Sequence, residues 1–212
     1  MLTLYKLPFQ SRAERVLWTL EELDMDYQVE LLNPMAGDCR TEQYLALNPH
    51  GKVPTLVHDD TTLTESIAIM EYLNDLHPER PLTPDANAPS YAKDNFHFRQ
   101  ALSYGLTEIE SYCWLRAQST LLAAVYKWPE GTAERSLKSI ERAVPTLWAW
   151  LAERDYVAGD QFTLADIYYY QLIGWMKMLG LSELPEHVQA YLDKLAAREN
   201  FPAAMKQAGP KF

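Results

Sequence analysis

Cationic side chains and cysteine are scarce in this chain of 212 residues. It carries 19 Lys+Arg against 29 Asp+Glu, a formal net charge of −10, so it lacks the basic footprint that nucleic acid demands. The shortage is greatest early: residues 1–80 hold 6 Lys+Arg against 14 Asp+Glu, and the remainder 13 against 15. An anionic ligand therefore meets an unfavourable long-range field and must depend on local cations, for which Arg12, Arg40 and Lys52 are the candidates. The two cysteines, Cys39 and Cys113, form no C-x-x-C pair, which argues against a dithiol redox motif or a clustered metal site. His50, His58, His77, His97 and His187 show no metal-ligand spacing, and no metal is expected. No apolar run approaches the roughly 20 residues needed to span a bilayer, and the N-terminus lacks the basic-then-apolar layout of a secretion signal. The expectation is a cytoplasmic protein with no membrane association. Against these absences stand 48% apolar and 12% aromatic residues, enough for a substantial core.

Residues 2–7 read as a short strand. A helix follows from Ser11, in which Ala13, Val16, Leu17, Leu20 and Leu23 recur at helical spacing, and residues 27–32 read as a second strand. Residues 41–47 suggest a short helix, 55–58 and 61–63 a hairpin, and 65–77 a helix with Ile67, Met70, Leu73 and Leu76 on one face. The order βαβαββα is that of a thioredoxin-like α/β domain spanning 1–77. Residues 78–90 hold four prolines and no helical periodicity, which marks a linker. From 91 to 212 the chain reads as all-α, with helices over roughly 91–118, 131–153, 164–179 and 185–198. The run Phe162-Thr163-Leu164-Ala165-Asp166-Ile167 is a capping box with a hydrophobic staple, a folding determinant with no catalytic role.

Three stretches carry possible chemistry. In Asn48-Pro49-His50-Gly51-Lys52-Val53-Pro54, the Val53-Pro54 bond is a candidate for the cis isomer, which would turn the Val53 N–H and C=O outward toward a ligand backbone. After the turn at Asp59-Asp60, Thr64 can cap a helix whose first positions are Glu65 and Ser66, leaving free N–H groups for a carboxylate. Ser11-Arg12-Ala13-Glu14 matches the S-x-x-E capping box, so the Ser11 hydroxyl has a purely structural use open to it.

Together with FTLADI near residue 165, these stretches resemble the cytosolic glutathione transferases, in the family's order and over essentially the whole chain. The resemblance is to serine-type, bacterial-like members, and it implies that Ser11 donates a hydrogen bond to the glutathione sulfur. A free thiol has a pKa of about 8.5, and lowering it by about two units takes roughly 2.7 kcal/mol of preferential thiolate stabilisation. A hydroxyl donor to a charged acceptor supplies about 1.5–3 kcal/mol, and a helix N-terminus adds to it. Tyr5 is the alternative donor, because other classes use a tyrosine at the end of strand 1. The position matching that tyrosine best is Lys6. Gln10 stands where cysteine-type classes place their cysteine.

The resemblance further implies that Gln10, Val53 and Pro54 line the glutathione site, with Val53 pairing to the cysteinyl backbone. Glu65 would hold the γ-glutamyl ammonium and Ser66 its carboxylate. Arg40 or Lys52 would meet the glycyl carboxylate; Cys39 falls where relatives carry a histidine. By the same analogy Phe9 and Gln10 would face Tyr104, Tyr112 and Trp114 across a pocket for a hydrophobic electrophile. Aromatic residues in helices more often serve as core. The implied activity is conjugation of glutathione, as co-substrate, to a hydrophobic electrophile, in a detoxification role, with glutathione-dependent peroxidase chemistry as a variant. A homodimer is expected by analogy. The alternative is a non-catalytic glutathione-binding or assembly module of the same fold, against which the length and the intact Val53-Pro54 and Glu65-Ser66 pairs argue.

Overall fold

A computed structural model describes residues 1–181 and 183–206. Its contacts divide into two compact units, one built from Met1–Leu82 together with residues 196–206, the other from Thr83–Leu195.

In the first unit β1 (Leu2–Lys6), α1 (Ala13–Glu22), β2 (Tyr27–Leu31), α2 (Glu42–Leu47), β3 (Thr55–His58), β4 (Thr61–Thr64) and α3 (Ser66–Leu76) follow the expected βαβαββα order. The sheet order is β2-β1-β3-β4, with β1 parallel to β2 and the other pairs antiparallel. Strand alternation sends Leu2, Leu4 and Lys6 inward from β1. Leu4, Val16, Trp18, Leu20, Ile69 and Leu73 are fully buried, so β1, α1 and α3 share one core. Part of that core comes from the far end of the chain: the Phe201 ring stands edge-on to Trp18 with centroids 4.9 Å apart.

The second unit is helical. The helix expected over roughly 91–118 runs unbroken as α4 (Tyr91–Tyr104), a π-helical turn (Gly105–Glu110) and α5 (Ser111–Ser119). Gly105 opens that turn, and a Cβ there would fall 2.4 Å from Cε1 of the buried Tyr168 ring. α6 (Thr132–Glu153), α7 (Leu164–Met178) and α8 (Glu186–Ala196) follow. A further short helix, α9 (Ala203–Lys206), belongs to the first unit. Thus residues 196–206, expected within the all-α region, fall in the first unit, where Phe201 meets Trp18 of α1; residues 207–212 lie outside the described chain.

The capping box of α7 forms. Asp166 is fully buried and accepts from the Thr163 N–H at 2.8 Å, the Val157 N–H at 2.9 Å and the Tyr191 hydroxyl at 2.8 Å. The Phe162 ring lies edge-on to Tyr156.

Candidate functional site

One row of strand pairing assembles the candidates of the first unit. Tyr5 pairs with Thr55, and Thr55 with Thr64. The end of β1, the start of β3 and the end of β4 therefore share one edge of the sheet. The chain leaves that edge through the loop to Ser11, arrives at it through Val53-Pro54, and leaves again through Glu65-Ser66. Edges where strands of opposite connection meet are where such sheets hold ligands.

Ser11 precedes α1, whose first residue is Ala13. Its backbone N–H donates to Glu14 Oε2 at 2.5 Å, and its hydroxyl donates to the same oxygen at 3.1 Å while accepting from the Ala13 N–H at 3.2 Å. Half of the expected capping box is thus present: Glu14 reaches back, but the Glu14 N–H bonds to the Ser11 carbonyl rather than to its hydroxyl. Glu14 Oε1 lies 3.0 Å from Lys6 Nζ, and both side chains are nearly buried. Lys6 also donates to the Leu7 carbonyl at 2.9 Å. Tyr5, one residue earlier, faces the other side of the sheet, where its ring lies 5.7 Å from that of Tyr44.

The loop before β3 is held from beneath. Buried Asn48 donates to the Lys52 carbonyl at 2.9 Å and to Thr55 Oγ1 at 3.0 Å, and accepts from the His50 N–H at 3.1 Å. The Tyr44 hydroxyl adds a 2.5 Å bond to the same Lys52 carbonyl and lies 2.8 Å from Thr55 Oγ1. Burial pushes the Tyr44 phenol above its ordinary pKa, so it is neutral and available as a donor. The Val53-Pro54 bond is cis, as expected. Among the described residues, no backbone partner uses the Val53 N–H or C=O.

At the β4–α3 turn the structure corrects the cap assignment. Thr64 closes β4, and Glu65 occupies the N-cap position with φ 69° and no side-chain cap bond. A left-handed backbone at a residue other than glycine is sparsely populated and concentrates at functional sites. It leaves the Glu65 side chain exposed and starts α3 at buried Ser66. Arg15, 1% exposed, donates from Nη1 to the Ser66 hydroxyl at 3.4 Å. Ser66 thereby keeps its own O–H for another acceptor, over a buried guanidinium and a helix N-terminus.

Arg40 is exposed and donates to the His50 carbonyl at 3.3 Å, across Gly51. Gly51 has φ 58°, and a Cβ there would meet the Cys39 carbonyl at 2.5 Å. Lys52 is exposed beside it. The Cys39 thiol is pushed above its usual pKa by desolvation and by Asp38, against the pull of Arg40, which keeps it protonated and a poor nucleophile.

Phe9 and Gln10 are exposed in the first unit. Within the second unit, the Tyr104 hydroxyl donates to the Ala143 carbonyl at 2.9 Å and its ring lies edge-on to Trp150. Trp114 packs against Trp175 and Tyr126, and Tyr112 is half-buried on α5. A cavity of about 390 Å³ in the first unit is lined by Tyr5, Glu30, Asp38, Thr41 and Tyr44 among others. Of the residues singled out in the sequence it includes Tyr5 alone. Among the described residues, no group of three or more His, Cys, Asp or Glu could hold a metal ion. No described helix is long and apolar enough to cross a membrane.

Sequence reasoning passed over Lys6, Arg15, Tyr44 and Thr55 as site-builders. For Lys6 a signal existed, since a lysine in phase with Leu2 and Leu4 must bring a buried counter-charge with it.

Residues 1–75 match the glutathione S-transferase N-terminal domain model and residues 112–199 the C-terminal domain model. Glutathione S-transferase 2 of Schizosaccharomyces pombe is 30% identical over 184 residues, 84% of this chain and 75% of the relative. The chain belongs to the glutathione S-transferase family. Within reach of the same family stands a stringent starvation protein A homolog of Haemophilus ducreyi, 28% identical over 94% of this chain and 87% of the relative. Among solved structures, a glutathione transferase homolog from Sulfitobacter with bound glutathione is 25% identical, with TM-score 0.81 over 97% of each chain. The family's two-part organisation, a four-stranded mixed sheet with helices followed by helices, is the architecture found here.

Proposed function

We propose that this member of the family binds glutathione at the sheet edge, stabilises its thiolate through the Ser11 hydroxyl, and adds the sulfur to the electrophilic carbon of a hydrophobic substrate. The observation that carries the reading is the Tyr5–Thr55–Thr64 row, which brings the Ser11 loop, the unpaired Val53 backbone and the Glu65-Ser66 turn to one edge. Val53 pairs with the cysteinyl unit, Glu65 holds the γ-glutamyl ammonium, and Ser66 over Arg15 holds its carboxylate. Pro54 presents Val53, Gln10 flanks the sulfur, and Arg40 or Lys52 meets the glycyl carboxylate. Phe9, Tyr104, Tyr112 and Trp114 are assigned to the electrophile. Reduction of organic hydroperoxides by the same thiolate is a variant of this chemistry. The location is assigned as cytoplasmic and the assembly as a homodimer, both by family analogy.

A second reading has an observation of its own, because the Ser11 hydroxyl is directed at Glu14. In that reading Ser11 caps α1 and the chain is a glutathione-binding module without thiol activation. Ultraviolet difference absorbance of saturating glutathione across pH separates the two. A bound-thiol pKa well below the free value, returning toward it in Ser11→Ala, supports the transferase. An unshifted wild-type thiol leaves the binding module, and a shift that survives the substitution transfers the role to Tyr5 or the backbone.

A further inference from the structure

We propose that Lys6 and Glu14 set how far Ser11 gives its hydroxyl hydrogen to the glutathione sulfur, with Glu14 as the competing acceptor and Lys6 as the counter-charge that weakens it. The proposal rests on the Ser11 reading above and deepens it.

A serine hydroxyl has one hydrogen to donate. Here that hydrogen points at Glu14 Oε2, and the oxygen's remaining lone pair of contacts includes the Ser11 N–H at 2.5 Å. To serve a thiolate, the hydroxyl must turn from a carboxylate to a sulfur anion, while its lone pair stays on the Ala13 N–H. The thiol's own proton leaves to water. What lowers the thiol pKa is therefore the difference between two charge-assisted bonds, not the whole strength of one.

The same carboxylate acts a second way. Glu14 is 3% exposed and lies one hydrogen bond from the Ser11 oxygen, so its charge repels an incoming thiolate through a poorly screened medium. The Lys6 ammonium, 3.0 Å from the other carboxylate oxygen, offsets both effects: it spreads the Glu14 charge away from Ser11 and makes the pair neutral as seen from the sulfur. Lys6 is itself fixed by the Leu7 carbonyl at the mouth of the loop that carries Ser11. Arg12 and Arg15 lie on either side of Glu14 in sequence, and Arg15 donates to Ser66 at the start of α3. Both arginines are retained in every variant below, so differences among them read the pair alone.

A buried ion pair with a structural duty only predicts something different. Removing either partner would destabilise the fold and leave the bound thiol unchanged. If the pair positions Ser11 and balances its surroundings, the two removals shift the thiol in opposite directions.

The test titrates the bound thiol in the full chain at saturating glutathione, in wild type, Lys6→Met, Glu14→Gln and the double variant. Lys6→Met should raise the thiol pKa by about one unit, which from about 6.5 is roughly a threefold loss of thiolate at neutral pH. Glu14→Gln should lower it by about half a unit or more, and the double variant should return close to wild type. Lys6→Arg keeps the charge and should hold the wild-type value; if Lys6→Met does not fold, the lowered thiol pKa of Glu14→Gln decides the matter. Single variants that leave the thiol pKa in place, or shift it the same way, overturn the proposal. If Ser11→Ala leaves the thiol pKa unmoved in wild type, the thiol-activation reading fails first and this proposal falls with it.

Discussion

Arg198 holds Glu22 in a two-pronged ion pair, Nε to Oε1 at 2.7 Å and Nη2 to Oε2 at 2.9 Å, between residues 176 apart in sequence. The Glu22 side chain is 5% exposed and also accepts from Trp18 Nε1 at 2.9 Å. With Phe201 set against Trp18, this ties the end of the chain to α1.

Arg198→Ala should therefore lower the unfolding free energy by about 1–3 kcal/mol, because it leaves a nearly buried carboxylate with one neutral donor. Arg198→Lys should recover only part of the loss, since an ammonium cannot reproduce the fork. Urea midpoints of the three proteins check both statements.

Glu65→Gly separates stability from binding. The φ of 69° that strains a glutamate is free for glycine, and the relief of about 1 kcal/mol matches or exceeds the entropy glycine loses on folding. Stability should stay at or above wild type while the dissociation constant for glutathione rises about tenfold, from loss of the partner of the ammonium. Calorimetric titration beside a urea melt reads the two quantities; undiminished affinity would remove Glu65 from the site.

Asn48→Ala should be the most damaging change in the loop before β3. It strips three hydrogen bonds from a buried position and should cost about 2–4 kcal/mol. Tyr44→Phe, which leaves Asn48 holding Lys52 and Thr55, should cost about 1 kcal/mol and weaken glutathione binding only a few-fold. Equal losses in the two variants would contradict the division of labour seen in the structure.

Asp166 gives a pH signature. Burial pushes its carboxyl up to about 6, against the opposing pull of its bonds from Val157, Thr163 and Tyr191. The folded state keeps this proton at a pH where the unfolded chain, with a pKa of about 3.9, has released it. Stability from this group is thus greatest below about pH 4 and declines as pH rises to about 6. Asp166→Asn should cost about 1–3 kcal/mol and remove that slope, so the gap between wild type and variant should widen from pH 7 toward pH 4.5 in urea melts.

The order of elements in the first unit was readable because its periodicities are clean and its punctuation strong. Asn48-Pro49 and Gly51 mark the loop before β3, and Leu2 and Leu4 alternate in β1. The left-handed Glu65 was not readable, since a glutamate carries no sign of the conformation its neighbours impose; Thr64 looked the better cap for the same reason. The role of Glu14 was half readable: S-x-x-E announced the contact with Ser11, whereas for Lys6 the signal was only its phase with Leu2 and Leu4 in β1. The π turn after Tyr104 begins at Gly105, where Tyr168 of another helix comes close, an approach between residues far apart in sequence. Residues 196–206 run on from the end of α8 without a periodic pattern of their own, so nothing in their sequence says which core Phe201 serves.

That last segment bears on how the protein comes to be made. A ribosome releases the sheet, α1 and α3 long before it reaches Phe201, so the nascent chain must carry Trp18 and Glu22 without their closing partners while the whole helical unit is synthesised. The unit that holds the sheet is completed only after the helical unit has been made.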